Sequence, residues 1–377
     1  MMGSEKKSAL KIEEIEGRGR GAVTCAAVRG GDVVLRDSPI LLYSAFPLSL
    51  SNNGNYCDNC FRKLQPLVSC PSCSLHHFCS PNCLSASSHT PWVCQAFTRL
   101  HHHLHPLERQ VQARFLIAAY NLAIVSPAKL QTLLSLQGQP SAEDVADAQS
   151  LHSLISSLCP PPTPIDGFSF QLTAALLAKD KLNAFGLMEP YDQINPSGHR
   201  SVRAYGIYPR ASFFNHDCLP NACRFDYVDA QNSTDLIIRM IHDVPQGREI
   251  CLSYFPVNLS YRARQNRLLQ DYGFTCSCDR CKVEANWSDQ EEADPDDDDD
   301  DDNDEAMDED PDDEDGTMTA EAEAEADASD FPHAYFFVKY LCDGNNCGGT
   351  LAPLPHSNAN SDLLECNVCG SIKADEC

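Results

Sequence analysis

Between Tyr56 and Gln95 the chain carries Cys57-x2-Cys60, Cys70-x2-Cys73, Cys79-x3-Cys83 and His89-x4-Cys94. Two thiolates two or three residues apart can grip one tetrahedral Zn²⁺ from a tight turn, so these eight ligands make two sites. The competing reading, free structural cysteines, does not account for the regular pairing. A second group, Cys276-x-Cys278-x2-Cys281, supplies only three ligands, whereas a closed structural zinc wants four. Cys218 is the natural fourth, and its use would tie a distant loop to this tail. Cys342-x4-Cys347 and Cys366-x2-Cys369 form a further set of ribbon type. About four zinc ions are therefore expected, held by 15 of the 20 cysteines together with His89.

Twenty cysteines could also mark a secreted disulfide scaffold. Met1 to Glu16 is mostly polar and charged, however, with no apolar signal segment. A reducing compartment is expected, nucleus and/or cytoplasm. The longest apolar run, Phe115 to Val125, is interrupted by Asn121 and is too short to cross a bilayer, which takes about 18 to 20 residues. The net charge of -26 is local: residues 289–330 hold 25 Asp and Glu and no Lys or Arg, leaving 29 acids against 28 bases elsewhere. The folded part thus carries no strong case for nucleic acid. The acidic segment, 286–330, has too little apolar surface to offset chain entropy and reads as a disordered linker.

Along the rest of the chain, residues 12–46 alternate turn glycines with β-branched and aliphatic runs and read as a small β-meander. His101, His102, His103 and His105 read as a solvated helix start. Helices are expected over Leu107–Val125, from Ser141 through Leu158, and over Phe170–Lys181. Leu236–Ile241 and Glu249–Tyr254 are strand-like, Tyr261–Gln270 is a basic helix, and Phe331–Leu341 is aromatic and β-like.

Three stretches carry the chemistry: Asn215-His216-Asp217-Cys218-Leu219-Pro220-Asn221, then Glu249-Ile250-Cys251-Leu252-Ser253-Tyr254, then Tyr272-Gly273-Phe274-Thr275-Cys276-Ser277-Cys278 with Cys281. Together they resemble the catalytic half of a SET-domain lysine methyltransferase. The paired cysteines resemble a MYND zinc finger, whose ligands interleave. That implies Cys57, Cys60, Cys79 and Cys83 on one ion, and Cys70, Cys73, His89 and Cys94 on the other, although the usual ending C-x7-H-x3-C is here Cys83-x5-His89-x4-Cys94. A SET domain interrupted by such a finger is the arrangement of the SMYD-type (SET and MYND domain) family, and the resemblance runs over residues 11–281. It is a plant-like form, without the C-terminal helical repeat domain of the better-known animal members.

The implied fold class is α+β: a mainly β SET fold interrupted by a MYND finger and a helical insert, with a post-SET zinc site and a C-terminal ribbon-like segment. The implied boundaries are 11–56 for the SET N-terminal part, 57–94 for the finger and 95–200 for the helical insert. The catalytic core follows at 201–275, the post-SET segment at 276–285, the acidic linker at 286–330 and the C-terminal segment at 331–377.

The resemblance implies transfer of a methyl group from S-adenosylmethionine to a lysine of a histone or other protein. Tyr254 is the implied catalytic phenol, with Tyr272 beside it. Gly17, Arg18, Gly19, Asn183, Ser212, Asn215, His216, Tyr254 and Phe274 are the implied cofactor-binding residues. Tyr272 and Phe274 would line the lysine channel or stack near the adenine, and Asn183 could equally be a buried helix cap. The rival reading is a zinc-built adaptor, catalytically idle, whose finger docks proline-rich peptides. A monomer without a membrane partner is expected in either case.

Overall fold

The computed structural model describes residues 9–47, 56–63, 68–73, 75–86, 88–100, 103, 107–162, 168–190, 200–227, 234–286, 333–344, 347–355 and 363–375. Beyond Asn286 the expected acidic linker lies outside them, as do His101, His102 and His105, while His103 is an exposed turn. Among the described residues, no helix is long and apolar enough to cross a membrane.

Four strands open the chain, β1 (Leu10–Ile15), β2 (Gly19–Thr24), β3 (Val33–Asp37) and β4 (Leu41–Ser44). Only the first two form a hairpin, so the expected meander is corrected. The short β5 (Val68–Ser69) and β6 (His77–Phe78) pair within the cysteine-rich stretch, which also carries α1 (Pro81–Leu84). Then come α2 (Pro91–Leu100), α3 (Leu107–Val125), α4 (Pro127–Leu134), α5 (Ala142–Leu158) and α6 (Phe170–Asn183). Ser169 caps α6 by accepting from Leu172 N, and Pro127 starts α4 where its missing N–H costs nothing.

A second group of strands follows, β7 (Ala184–Met188), β8 (Val202–Ile207), β9 (Asn215–His216), β10 (Ala222–Phe225), β11 (Leu236–Met240) and β12 (Cys251–Leu252). After it come α7 (Tyr261–Arg267), a π turn over Leu268–Tyr272 and α8 (Asp279–Glu284). The strands expected over 236–241 and 249–254 are thus shorter than their apolar runs, and the 261–270 helix changes register midway. β3 finds its partner in β11 and β4 in β8, giving the sheets β10-β11-β3 and β4-β8-β7. The two largest apolar cores among the described residues lie here. One joins α2 to α6 around Phe115, Tyr120 and Leu176, and the other fills the strand layer around Tyr208, Ile238 and Ile250. Helices α2 to α6 pack beside the strand layer, so the fold mixes helix and sheet, in keeping with the expected α+β class.

The last segment departs from expectation. Residues 334–340 form helix α9 (Ala334–Tyr340), not a strand, followed by the sheet β13 (Leu351–Pro353), β14 (Leu363–Cys366) and β15 (Ile372–Ala374). Phe336 and Tyr340, four apart, are buried with Phe225, Ile237, Val257 and Ala352, so helical spacing turns the aromatic side chains onto one face. Glu365 of β14 pairs with Arg239 of β11 at 2.9 Å and accepts from Tyr227 Oη at 2.6 Å, with Arg239 1 % exposed. Removing one partner of a buried pair strands the other charge, at about 3 to 5 kcal/mol. Glu365→Ala should therefore lower unfolding free energy by about 3 kcal/mol in urea melts of the whole chain. A loss under about 0.5 kcal/mol would show that the segment only rests on the β10–β11 strands.

Candidate active site

Asp37, at the end of β3, accepts from Arg210 N at 2.8 Å and Ala211 N at 2.9 Å and so anchors the 3₁₀ turn Ala211–Phe213. The turn delivers β9, which pairs in parallel with β12, Asn215 opposite Cys251 and His216 opposite Leu252. That pairing brings the second chemical stretch beside the first. His216 Nδ1 accepts from Tyr254 N at 3.2 Å, and the Tyr254 hydroxyl donates to Phe214 O at 3.1 Å. The π turn brings the third stretch, with the Tyr272 ring 4.8 Å from Tyr254 and the Phe274 ring 6.5 Å from His216. Gly273 ends this turn at φ 77°, a left-handed conformation that suits glycine. Tyr254, Tyr272, Phe274 and His216 therefore form one aromatic cluster.

Burial, with Tyr272 adding, holds the Tyr254 hydroxyl well above the ordinary tyrosine range, so it is a neutral phenol rather than a base. Burial also pushes the His216 imidazole down to about 3. With Nδ1 accepting, the proton of this neutral ring sits on Nε2, which lies 3.3 Å from Cys218 Sγ.

The glycine turn meets this cluster from the other side. Gly17 and Gly19 have φ of 72° and 70°, and Arg18 of the same turn donates to His216 O and pairs with Glu249 at 2.9 Å. Asn215 Nδ2 donates to Glu249 Oε1 at 2.7 Å. Asn183 is buried at the end of α6, where its Nδ2 donates at 2.8 Å both to Lys179 O, one turn back, and to Gln137 O. A Cβ on Gly19 would lie 3.5 Å from Gln137 Nε2, so Asn183 and the glycine turn converge on residue 137. Ser212 lies on the 3₁₀ turn with its hydroxyl directed to Tyr208 O at 2.9 Å, within its own turn.

No disulfide links the described cysteines to one another. Sixteen ligand residues gather in four groups that could hold a metal ion, each with its ligand atoms within 4.8 Å of one another: Cys57, Cys60, Cys79 and Cys83; Cys70, Cys73, His89 and Cys94; Cys218, Cys276, Cys278 and Cys281; Cys342, Cys347, Cys366 and Cys369. Sulfurs at about 2.3 Å from a tetrahedral Zn²⁺ lie about 3.8 Å apart. Here Cys60–Cys79 is 3.6 Å, Cys70–Cys94 3.8 Å, Cys218–Cys281 3.5 Å, Cys218–Cys276 3.9 Å and Cys342–Cys369 3.6 Å, so the donor sets fit that ion. His89 Nε2 is 3.3 Å from Cys70 Sγ, while His76 Nδ1 lies 3.4 Å from Cys73 and its ring packs on His89.

Sequence reasoning missed two residues here. Arg264, fully buried on α7, donates from Nε to Cys218 Sγ at 3.3 Å and pairs with Glu284, offsetting the charge of clustered thiolates. It is one of three arginines in Tyr261–Arg267, and nothing local distinguishes it. Glu249 joins Arg18 to Asn215, and its signal was an acid at the head of an apolar strand. A cavity of about 260 Å³ also opens between the cysteine-rich stretch and the helical insert, lined by Tyr43, Phe61, His89, Phe97 and Asn121 among others. None of its lining residues belongs to the Tyr254 cluster.

The chain matches the SET domain family over residues 139–255. It is 56% identical over 394 residues to the histone-lysine N-methyltransferase ASHR2 of Arabidopsis thaliana, covering 99% of this chain and 98% of that protein. It is 22% identical over 294 residues to the histone-lysine N-methyltransferase SMYD3 of Homo sapiens, covering 74% of this chain and 63% of the relative. Among solved structures, the SET domain of LSMT bound to lysine and AdoHcy aligns over 72% of this chain and 54% of that one, at 15% identity and a TM-score of 0.31, too loose to transfer any detail. The chain belongs to the SET-domain family of S-adenosylmethionine-dependent protein-lysine methyltransferases. At lower identity it is also similar to relatives named SMYD3.

Proposed function

We propose that this enzyme methylates lysines of histones, with Tyr254 as the catalytic phenol and the cofactor lying between the Gly17–Gly19 turn and Asn215-His216. The observation that carries the assignment is the meeting of three separated stretches at one cluster, where a neutral, buried Tyr254 hydroxyl is fixed on Phe214 O. Bound S-adenosylmethionine would supply an electrophilic methyl on a sulfonium. The protein's task is then to present a neutral amine in line with it. A lysine of pKa about 10.4 costs about 4.6 kcal/mol to deprotonate at pH 7, and a desolvated channel reduces that cost. Orientation contributes more, up to about 7 to 11 kcal/mol. Tyr272 and the partly exposed Phe274 would wall the channel and attract the methylammonium product through their ring faces.

In this reading residues 57–94 are a MYND finger with two zinc ions, 276–285 a post-SET segment closing a third site with Cys218, and 331–377 a ribbon holding the fourth. Asn183 and Ser212 would contribute to the cofactor pocket through backbone more than side chain, since both side chains already bond to carbonyls. The cavity beside the finger offers apolar walls to a proline-rich segment of a partner. Work on histones would be done in the nucleus. The test is methyl transfer from labelled S-adenosylmethionine to core histones and to a non-histone protein array by the zinc-loaded chain. Label on non-histone proteins alone would remove the histone assignment, and no label with intact cofactor binding would favour an adaptor.

A further inference from the structure

We propose that Glu249 is a positioning residue that fixes which end of the Asn215 amide faces the cofactor, making the pocket selective for a ligand carrying an ammonium group. The inference rests on the reading that the residues around Asn215 hold S-adenosylmethionine. Glu249 stands at the entry to β12 with its side chain 14% exposed. One carboxylate oxygen accepts from Asn215 Nδ2 at 2.7 Å and the other pairs with Arg18 Nη1 at 2.9 Å. The residue is itself held in place: its carbonyl accepts from Asn221 Nδ2 at 2.9 Å, and Asn221 Oδ1 in turn accepts from Cys251 N at 2.9 Å. The glycine turn is packed directly on this group. A Cβ at Gly21 of β2 would stand 2.7 Å from Glu249 Oε1 and 3.0 Å from Asn215 Nδ2, so any larger residue there would displace this pair.

An amide offers acceptor lone pairs at one end and two N–H donors at the other. The two neighbours of Asn215 Nδ2 are the Glu249 carboxylate and, at 3.4 Å, Arg20 O, and both can only accept. That end must therefore be the NH₂ group, and Oδ1 is the end directed away from Glu249. Arg18 is engaged in the same way, with one nitrogen on Glu249 and the other on His216 O, so its positive charge is matched by the carboxylate. The half-buried Asn215 thus offers its Oδ1 acceptor, with a carboxylate behind it, to a ligand that binds beside it. The complementary ligand group is a cationic N–H donor, the α-ammonium of the cofactor's amino-acid end, and charge-assisted bonds of this kind are the stronger ones.

The experiment is calorimetry on the full-length, zinc-loaded chain with S-adenosylhomocysteine and with its deaminated analogue, which lacks only the α-amino group. Glu249→Gln can turn an NH₂ toward Asn215, which lets the Asn215 amide reverse. Affinity for S-adenosylhomocysteine should fall by about tenfold or more, the scale of losing one hydrogen bond to a charged group. Affinity for the deaminated analogue should stay within about twofold, because it has no ammonium to lose. The swap Glu249→Gln with Asn215→Asp restores a fixed acceptor, held by the glutamine NH₂, and should recover most of the lost affinity. Equal losses for both ligands, or a swap no better than Glu249→Gln, would mean that Glu249 merely supports the fold, and the inference would be wrong. Should wild type bind neither ligand, the cofactor reading fails first and takes this inference with it. Should Glu249→Gln alone fail to fold, selective recovery of S-adenosylhomocysteine binding by the swap still decides the question.

Discussion

Tyr254→Phe is expected to lower methyl transfer by at least about 10²-fold, the scale of losing one preorganised polar group at a transition state. The substitution keeps the ring between Tyr272, at 4.8 Å, and His216, at 5.2 Å, and removes only the hydroxyl that donates to Phe214 O. Stability should therefore change by no more than about 1 to 2 kcal/mol, and cofactor affinity should be retained. The pH dependence gives a separate check. Burial holds the Tyr254 hydroxyl protonated well above the usual tyrosine range, so it does not titrate while the substrate amine, ordinarily near about 10.4, is being deprotonated. Single-turnover rates should rise with pH in both forms along the same slope, displaced by a constant factor. If the phenylalanine form transfers methyl as fast as wild type, the catalytic assignment moves to Tyr272 while the enzyme class stands. If the two slopes diverge, Tyr254 is exchanging a proton, contrary to its buried, neutral state.

Cys218→Ser should remove one of about four zinc ions per chain and most cofactor affinity together. Cys218 Sγ lies 3.5 Å from Cys281 and 3.9 Å from Cys276, and it also receives Arg264 Nε at 3.3 Å. Two residues upstream, His216 places Nε2 3.3 Å from the same sulfur and its ring in the Tyr254 cluster. A serine oxygen is a poor zinc ligand, and losing the ion would unsettle Arg264, which donates to both Cys218 and Cys281 Sγ. The loop bearing Asn215 would lose its tie to α8 as a result. Elemental analysis and calorimetry with S-adenosylhomocysteine read the two effects independently. Loss of one zinc with unchanged cofactor affinity would show that the metal and the cofactor loop are uncoupled, and an unchanged zinc count would remove Cys218 from the ligand set.

What could be read before folding was whatever is local. Cysteine pairs two to four residues apart announce a ligand turn by spacing alone, and Cys218 could be proposed as a missing fourth because coordination number is chemistry rather than topology. The helices at 107–125, 142–158 and 170–183 were visible in their length and punctuation, Ser126-Pro127 and Pro160–Pro162 among the stops. The sequence alone likewise supplied the three stretches that meet at Tyr254, in order and with their residue types.

Partner choice was not local. β3 and β4 look like continuations of a hairpin, yet their edges are satisfied by β11 and β8, about two hundred and one hundred and sixty residues away. The aromatic run 334–340 has strand-like composition but forms a helix, because a helical face lets Phe336 and Tyr340 enter the core beside Val257 while Phe337 covers Arg280, 4.6 Å from its ring centroid. The unusual ending Cys83-x5-His89-x4-Cys94 left the histidine ligand to be settled by the fold, which gathers His89 with Cys70, Cys73 and Cys94 while His76 stands beside Cys73. Nor could any reading of Tyr261–Arg267 single out Arg264 among its basic neighbours, or show that Glu249 holds both Arg18 and Asn215. Residue type sets what a side chain can do, but burial and the direction of a partner's lone pair set what it does, and those exist only once chain segments two hundred residues apart have been packed together.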